Sequence, residues 1–397
     1  MGDSGKNHLA IALLVKLPLQ LAAAFVLLYV WFAGMLALLF GSRDHTWIPL
    51  LWFCFCVGLA LCSVGVIWRL RRVRRVSYVL MLCGALAIGG RALWRWWTVG
   101  RFPVVTSKVD WWRYMPFREG NLLVEVAPPA EGLLPEEPTP RLNGALALYP
   151  VYAAMAQAMY TPAETDNQAY LWLDGSDVIY DELIEGKRDM IFALAPSAKQ
   201  QADAAAKGLA YEMTPFCRDA FVFYVNARNP VDNLTTEQIR GIYAGRLTDW
   251  KEVGAPKSTK IIPFQRNEGS GSQTTLQKLM GDTPIMPPLK EDRVGGMGEI
   301  INDTANYRNY GAALGFSFRY YATELLRNSQ IKLLSIDGIA PTVENIRSGR
   351  YPLVATAYMV TVHPRTENER RIVDFMLSPQ GQELVEKTGY VPLPSQE

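Results

Sequence analysis

The chain has 397 residues, 49% of them hydrophobic, and a formal net charge of +2. That length allows two or three compact units of roughly 100 to 200 residues each, and a near-zero charge without a basic, aromatic-interleaved stripe excludes a nucleic-acid binder. Of its three histidines His363 alone lies in the second half, and no Gly-Lys-Ser/Thr phosphate loop is present, so no enzyme chemistry, metal site or cofactor is expected.

Three apolar runs open the chain, Leu17 to Phe40, Trp47 to Trp68 and Val76 to about Val99. Each matches the ~20 residues that cross ~30 Å of hydrocarbon, and three in succession are not a cleaved signal peptide, whose apolar core is single and shorter. The expectation is a membrane anchor over residues 1–100 with three transmembrane helices. Arg91 and Arg95 fall in the last turns of the third and must reach the interface. Arg69, Arg71, Arg72, Arg74 and Arg75 join the second and third runs and would stay on the cytoplasmic side. The loop at Arg43, Asp44 and His45 is then outside, and everything from about Trp111 onward faces the periplasm or exterior, in a multi-pass inner-membrane protein.

Beyond residue 118 the chain carries 26 basic and 35 acidic residues, a net charge of −9, so any anion there has to be held by local donors. Cys54, Cys56, Cys62 and Cys83 lie in the apolar runs. Cys217 is the lone cysteine of the soluble part, where a disulfide within the domain is therefore impossible. Residues 101–141 form a juxtamembrane segment and a linker whose prolines, densest between Val124 and Pro140, favour extended chain that would hold the domain off the bilayer.

From Leu142 onward helical and strand-like segments alternate, as in an α/β domain with helices on the sheet faces. The clearest strands are 190–195, 220–226, 260–264 and 357–362; the clearest helices are 150–160, 178–185, 236–244, 272–280 and 367–377. Their order suits an open, doubly wound sheet. Thr235 and Gln238 have the spacing of a capping box, and Gly245 is placed to stop the helix they start.

One stretch carries the chemistry of an anion cradle: Phe264-Gln-Arg266-Asn-Glu-Gly269-Ser270-Gly271-Ser272 runs from a strand through a glycine-rich turn into a helix faced by Leu276, Leu279 and Met280. Glycines let backbone N–H groups approach an oxyanion, the helix start offers unpaired donors, serines add hydroxyls, and Arg266 supplies a bidentate charge. For the turn alone, a tight turn with a capped helix is the better account. Two further glycine-bearing helix starts precede it, Asn143-Gly144-Ala145-Leu146 before Tyr149-Pro150, and Asp174-Gly175-Ser176-Asp177, so three helix N-termini could converge on one ligand.

With these residues in view, 142–392 resembles the phosphate-type substrate-binding proteins of ABC importers. The carrying stretches are Thr214 to Asn226, Asn229 to Trp250, and Arg266 with Gly269 to Ser272. The resemblance implies a type II periplasmic-binding-protein fold: two α/β lobes and a hinge, lobe 1 at about 142–226 and 321–397 and lobe 2 at about 227–320, closing over a small oxyanion. Arg266, Ser270, Gly271 and Ser272 match the family's second-lobe oxyanion motif. Gly175 and Ser176 stand for its second serine, and Gly144, Ala145 and Leu146 replace a Gly-Ser-Thr, with two hydroxyls lost. Where the family has an aspartate that accepts the proton of hydrogen phosphate, this chain has Leu194. The implied function is capture of a small oxyanion such as phosphate for an ABC permease. The alternative is a tethered sensor or interaction module whose ligand binding is altered or lost.

Overall fold

The structure is a computed structural model that describes residues 70–95, 108–127, 130–165, 170–287 and 312–394, with a few isolated positions besides. The chain divides into two units, Met1–Phe102 and Pro103–Glu397. In the first, helix α1 spans Arg71–Arg95. It carries Arg71, Arg72, Arg74 and Arg75 in its opening turns and Arg91 and Arg95 near its end. Among the described residues no helix is long and apolar enough to cross a membrane, so the three-helix anchor finds no support here. The runs expected at 17–40 and 47–68 fall almost wholly outside the described residues, and that at 76–99 overlaps α1, whose arginines stand in its first turns and near its end.

The second unit is mixed α/β. Its strands are β1 (Leu142–Gly144), β2 (Met190–Leu194), β3 (Glu212–Asn226), β4 (Asn233–Leu234), β5 (Ile262–Pro263), β6 (Gln265–Arg266), β7 (Arg293–Val294), β8 (Ala313–Phe318), β9 (Ile331–Leu333), β10 (Ser335–Ile336) and β11 (Val354–Thr361). Its helices are α2 (Tyr149–Met159), α3 (Pro162–Thr165), α4 (Ser176–Ile184), α5 (Ala198–Ala206), α6 (Thr236–Tyr243), α7 (Gly271–Met280), α8 (Val343–Arg347), α9 (Glu367–Leu377) and α10 (Pro379–Thr388). Helix starts follow their local signals: Ser197 with Gln200, Thr235 with Gln238, and Thr366 with Glu369 each form a complete capping box. Gly245, at φ 74°, follows α6 as its position predicts.

One sheet runs β1-β2-β11-β3-β8-β5, with β9 also paired to β3. It is mixed in direction: β1 is parallel to β2 and β5 to β8, whereas β11 is antiparallel to both β2 and β3, and β3 is antiparallel to β8. Strand β3 is the spine. Its first part pairs with β11 from Glu212 to Ala220, and from Phe221 its partners are β8 and β9. Pro215 has no N–H to give the ladder, and the register slips there, Ala357 facing Cys217 while Tyr358 faces Pro215. The second part of β3 is buried on both faces, and Phe221 and Phe223 pack with Phe316 of β8 at ring-centroid distances of 5.5 and 6.2 Å.

The segment before β1 is docked rather than free. Trp111 meets the Tyr149 ring edge-on at 6.0 Å, and Tyr114, Leu123, Val126 and Leu133 pack against the core. Fully buried Asn368 of α9 accepts from Leu134 N at 2.7 Å and donates to the carbonyls of Leu134, Glu137 and Pro138 at 3.1 to 3.3 Å. The prolines do keep this strap extended, but the apolar residues between them give it a surface to bury.

Candidate functional site

Each of the three glycine-bearing segments ends a strand or loop at the start of a helix. At the first, β1 stops at Gly144 because a larger residue does not fit: a Cβ there would lie 2.5 Å from Tyr152 Cε1 and 3.0 Å from Phe192 Cβ. The amides that would face a ligand are already used. Gly144 N donates to Asn143 Oδ1 at 2.8 Å, Ala145 N to the Phe192 carbonyl at 2.9 Å, and Leu146 N to the Asp174 carbonyl at 3.2 Å. Gly144, Ala145 and Leu146 thus form a seam that ties β1 to β2 and to the second segment, and in this geometry they present no open N–H cradle.

At the second segment Gly175 precedes α4 and gives no side-chain cap, and Asp177 sets a carboxylate in the first turn, its Oδ1 beside Gly175. Gln200 fixes this turn, donating from Nε2 to the Ser176 carbonyl at 2.8 Å while its Oε1 accepts from Ser197 N at 2.8 Å. The Ser197-x-x-Gln200 spacing was the signal for this residue, which sequence reasoning passed over. Asn143 reaches both Asp174 Oδ2, at 3.0 Å, and Glu182 Oε2, at 2.8 Å, stitching the first segment to the second.

At the third segment β6 delivers Arg266, 9% exposed, into the turn before α7. Gly269 turns the chain at φ 84°, Ser270 caps α7 by accepting from Gln273 N at 3.3 Å, and Gln273 Oε1 accepts in return from Arg266 N at 2.8 Å. Ser272 is fully buried, and its Oγ has no hydrogen-bond partner among the described residues. Around Arg266 the hydroxyls are held protonated: burial pushes Tyr321 up to about 12, against the pull of the Arg266 charge.

The second and third segments meet. A Cβ on Gly271 would lie 3.2 Å from Ser176 Oγ and 3.3 Å from Leu194 Cδ1, and one on Gly269 would lie 3.5 Å from Asp177 Cβ. Gly175, Ser176, Ser270, Gly271 and Ser272 are thereby brought to one place, with Gly144 to Leu146 joined to it through Asp174. The helix starts of α4 and α7, residues of distant parts of the chain, face each other there, which concentrates backbone donors of the kind an oxyanion uses, with the Asp177 carboxylate beside them.

A model of the PBP superfamily domain matches residues 135–380, from the docked strap through to the start of α10. The chain belongs to the PBP superfamily. As a PBP-superfamily chain it is a solute binder and not an enzyme. It is 27% identical over 215 residues to the phosphate-binding protein PstS of Borreliella burgdorferi, covering 52% of this chain and 75% of that one. It is 30% identical over 172 residues to PstS of Bacillus subtilis, of which it spans about half, 53%. A Clostridium perfringens structure, a putative phosphate ABC transporter substrate-binding protein with bound phosphate, shares the fold at TM-score 0.50 and 23% identity, over 64% of this chain and 98% of that one.

Where β3 changes partners, Asp219 and Arg319 are both buried, Nε to Oδ1 at 3.7 Å. Asp219 accepts from Ala220 N at 2.8 Å and Tyr320 N at 3.2 Å, and Arg319 donates to the Gly389 carbonyl at 2.6 Å. Burial pushes the Asp219 carboxyl up to about 6, although Arg319 and the two N–H groups oppose it. Cys217 is fully buried and burial raises its thiol, so it is an inert packing residue. Among the described residues no cluster of His, Cys, Asp and Glu could hold a metal ion.

Proposed function

We propose that the chain is an extracytoplasmic solute-binding protein that captures a small oxyanion, with phosphate the first candidate, for an ABC-type permease. The observation that carries this is the meeting of Ser176 with Gly271, which faces the start of α4 toward that of α7 beside the buried Arg266. The names of the PstS relatives support phosphate in particular. Residues 142–226 and 321–397 form one lobe and 227–320 the other, and they close about the strands at which β3 exchanges β11 for β8. The bound anion is held by Arg266, Ser270, Gly271 and Ser272 from the second lobe and by Gly175 and Ser176 from the first. The apolar runs before residue 100 and the arginines between them support tethering of this domain at the outer face of the inner membrane.

The test is isothermal titration of the full-length chain with phosphate and sulfate, comparing wild type with Arg266→Ala. Loss of charge-assisted hydrogen bonds worth about 1.5–3 kcal/mol weakens binding by roughly ten- to 150-fold while the melting temperature of the free protein holds. Unchanged affinity in the variant would sink the assignment. A second reading, a tethered sensor with an altered ligand, is favoured by Leu194 at the position of the family's carboxylate and by the spent amides of Gly144 to Leu146. Wild-type protein giving neither heat nor thermal stabilisation with any oxyanion would favour that reading.

A further inference from the structure

Leu194 stands at the end of β2 with its Cδ1 3.3 Å from the place a Cβ would take on Gly271. A free tetraoxyanion at this helix start would turn one oxygen toward a side chain with no donor or acceptor, and burying that oxygen unpaired costs about 1–3 kcal/mol. An ester oxygen carries no charge there and needs no strong partner, and its carbon substituent finds an apolar wall.

The same leucine lines an open pocket of about 370 Å³ shared with Leu279, Pro352, Leu353, Thr356 and Tyr358. That volume lies in the range of small-molecule clefts. The pocket and the anion seat share helix α7: Thr275, on the pocket wall, donates its hydroxyl to the Gly271 carbonyl at 2.8 Å. Lys278, about one turn further along, lines the pocket too. On the seat side, Ser272 offers a fully buried hydroxyl with no hydrogen-bond partner among the described residues.

We infer that the ligand is a phosphate monoester, its phosphoryl group at the starts of α4 and α7 and its apolar ester group in the pocket beyond Leu194. This rests on the oxyanion reading above and narrows it from inorganic phosphate to an organic phosphate. Leu194 and the pocket, rather than a carboxylate, then set selectivity, because the ester group adds buried apolar area that inorganic phosphate lacks.

The full-length chain is titrated with inorganic phosphate, methyl phosphate, butyl phosphate and phenyl phosphate. Expected is phenyl phosphate at least tenfold tighter than inorganic phosphate, and a gain of up to about fourfold for each methylene between methyl and butyl phosphate. Thr356→Trp, which fills the pocket, removes the phenyl advantage and leaves inorganic phosphate binding as it was. The alkyl series needs wild-type protein alone, so it decides the matter even where the tryptophan variant misfolds. Equal affinity for all four ligands overturns the ester proposal and leaves the oxyanion reading standing. Binding of none of them by folded protein overturns both.

Discussion

Gly144→Ala separates a structural from a ligand-holding role for the first glycine-bearing segment. The added Cβ would sit 2.5 Å from Tyr152 Cε1 and 2.9 Å from Cζ, and the ring has nowhere to go. Tyr152 is fully buried, stacked on Phe192 at 5.0 Å and edge-on to Tyr149 at 5.3 Å, and its hydroxyl donates to the Trp172 carbonyl at 2.7 Å. Overpacking of this kind costs about 1–3 kcal/mol, and displacing the hydroxyl forfeits a hydrogen bond worth about 1 kcal/mol. The sum is roughly 2–4 kcal/mol, or about 3–6 °C in melting temperature for a unit the size of Pro103–Glu397. Thermal and urea unfolding followed by near-UV circular dichroism measure it. A Tyr152→Leu background relieves the clash, so the cost of Gly144→Ala shrinks there by more than about 1 kcal/mol. A drop below about 2 °C, or the same cost in both backgrounds, would refute the steric account.

The buried carboxylate and the docked strap give two further tests. Asp219 titrates at about 6 in the fold against a usual 3.8, so its contribution to stability is fully present below pH ~3.8 and is lost as pH rises through about 6. Between pH 7.5 and 5 the stability of wild type relative to Asp219→Asn therefore rises by about 1 kcal/mol; a pH-independent difference in urea midpoints would show that the carboxyl stays ionised beside Arg319. Asn368→Ala removes four hydrogen bonds to the strap, several of them to groups that water then solvates, and lowers local stability by about 1–2 kcal/mol. Amide exchange near Leu133 and Leu134 speeds up roughly five- to thirtyfold while that of β3 holds, and unchanged exchange would mean that the apolar contacts alone dock the strap.

What was legible in the sequence is what short-range chemistry fixes. Thr235, Gln238 and Gly245 bound a helix through neighbours in the chain, and the Gly269 to Ser272 turn declares a helix start for the same reason. The crossing strand was harder to see. Only its apolar half, 220–226, stands out, because Glu212, Thr214, Pro215, Arg218 and Asp219 break the pattern although they hydrogen-bond to β11 or its flanks. Strand β8 escaped because Ala313–Phe318 is a short apolar run buried throughout, which periodicity cannot assign. The docking of the strap is hidden from local reading because its prolines are local while its main fastening, Asn368, comes from more than 200 residues away.

The site divides in the same way. Ser270, Gly271 and Ser272 are recognisable from a contiguous motif, and Ser176 from a glycine before a helix. That Gly144, Ala145 and Leu146 have no free amides depends on Asn143, Phe192 and Asp174, partners that only the folded chain brings to them. Leu194 combines both kinds of information. Its identity can be read as a missing carboxylate, but its meaning comes from what it touches: Gly271 on one side and an open pocket of mixed lining on the other. A leucine that merely replaced an acid would leave a weaker phosphate site. On the ester proposal, one that also forms the wall of a pocket changes which ligand the helix starts hold, with apolar contact to the ester group standing in for a carboxylate.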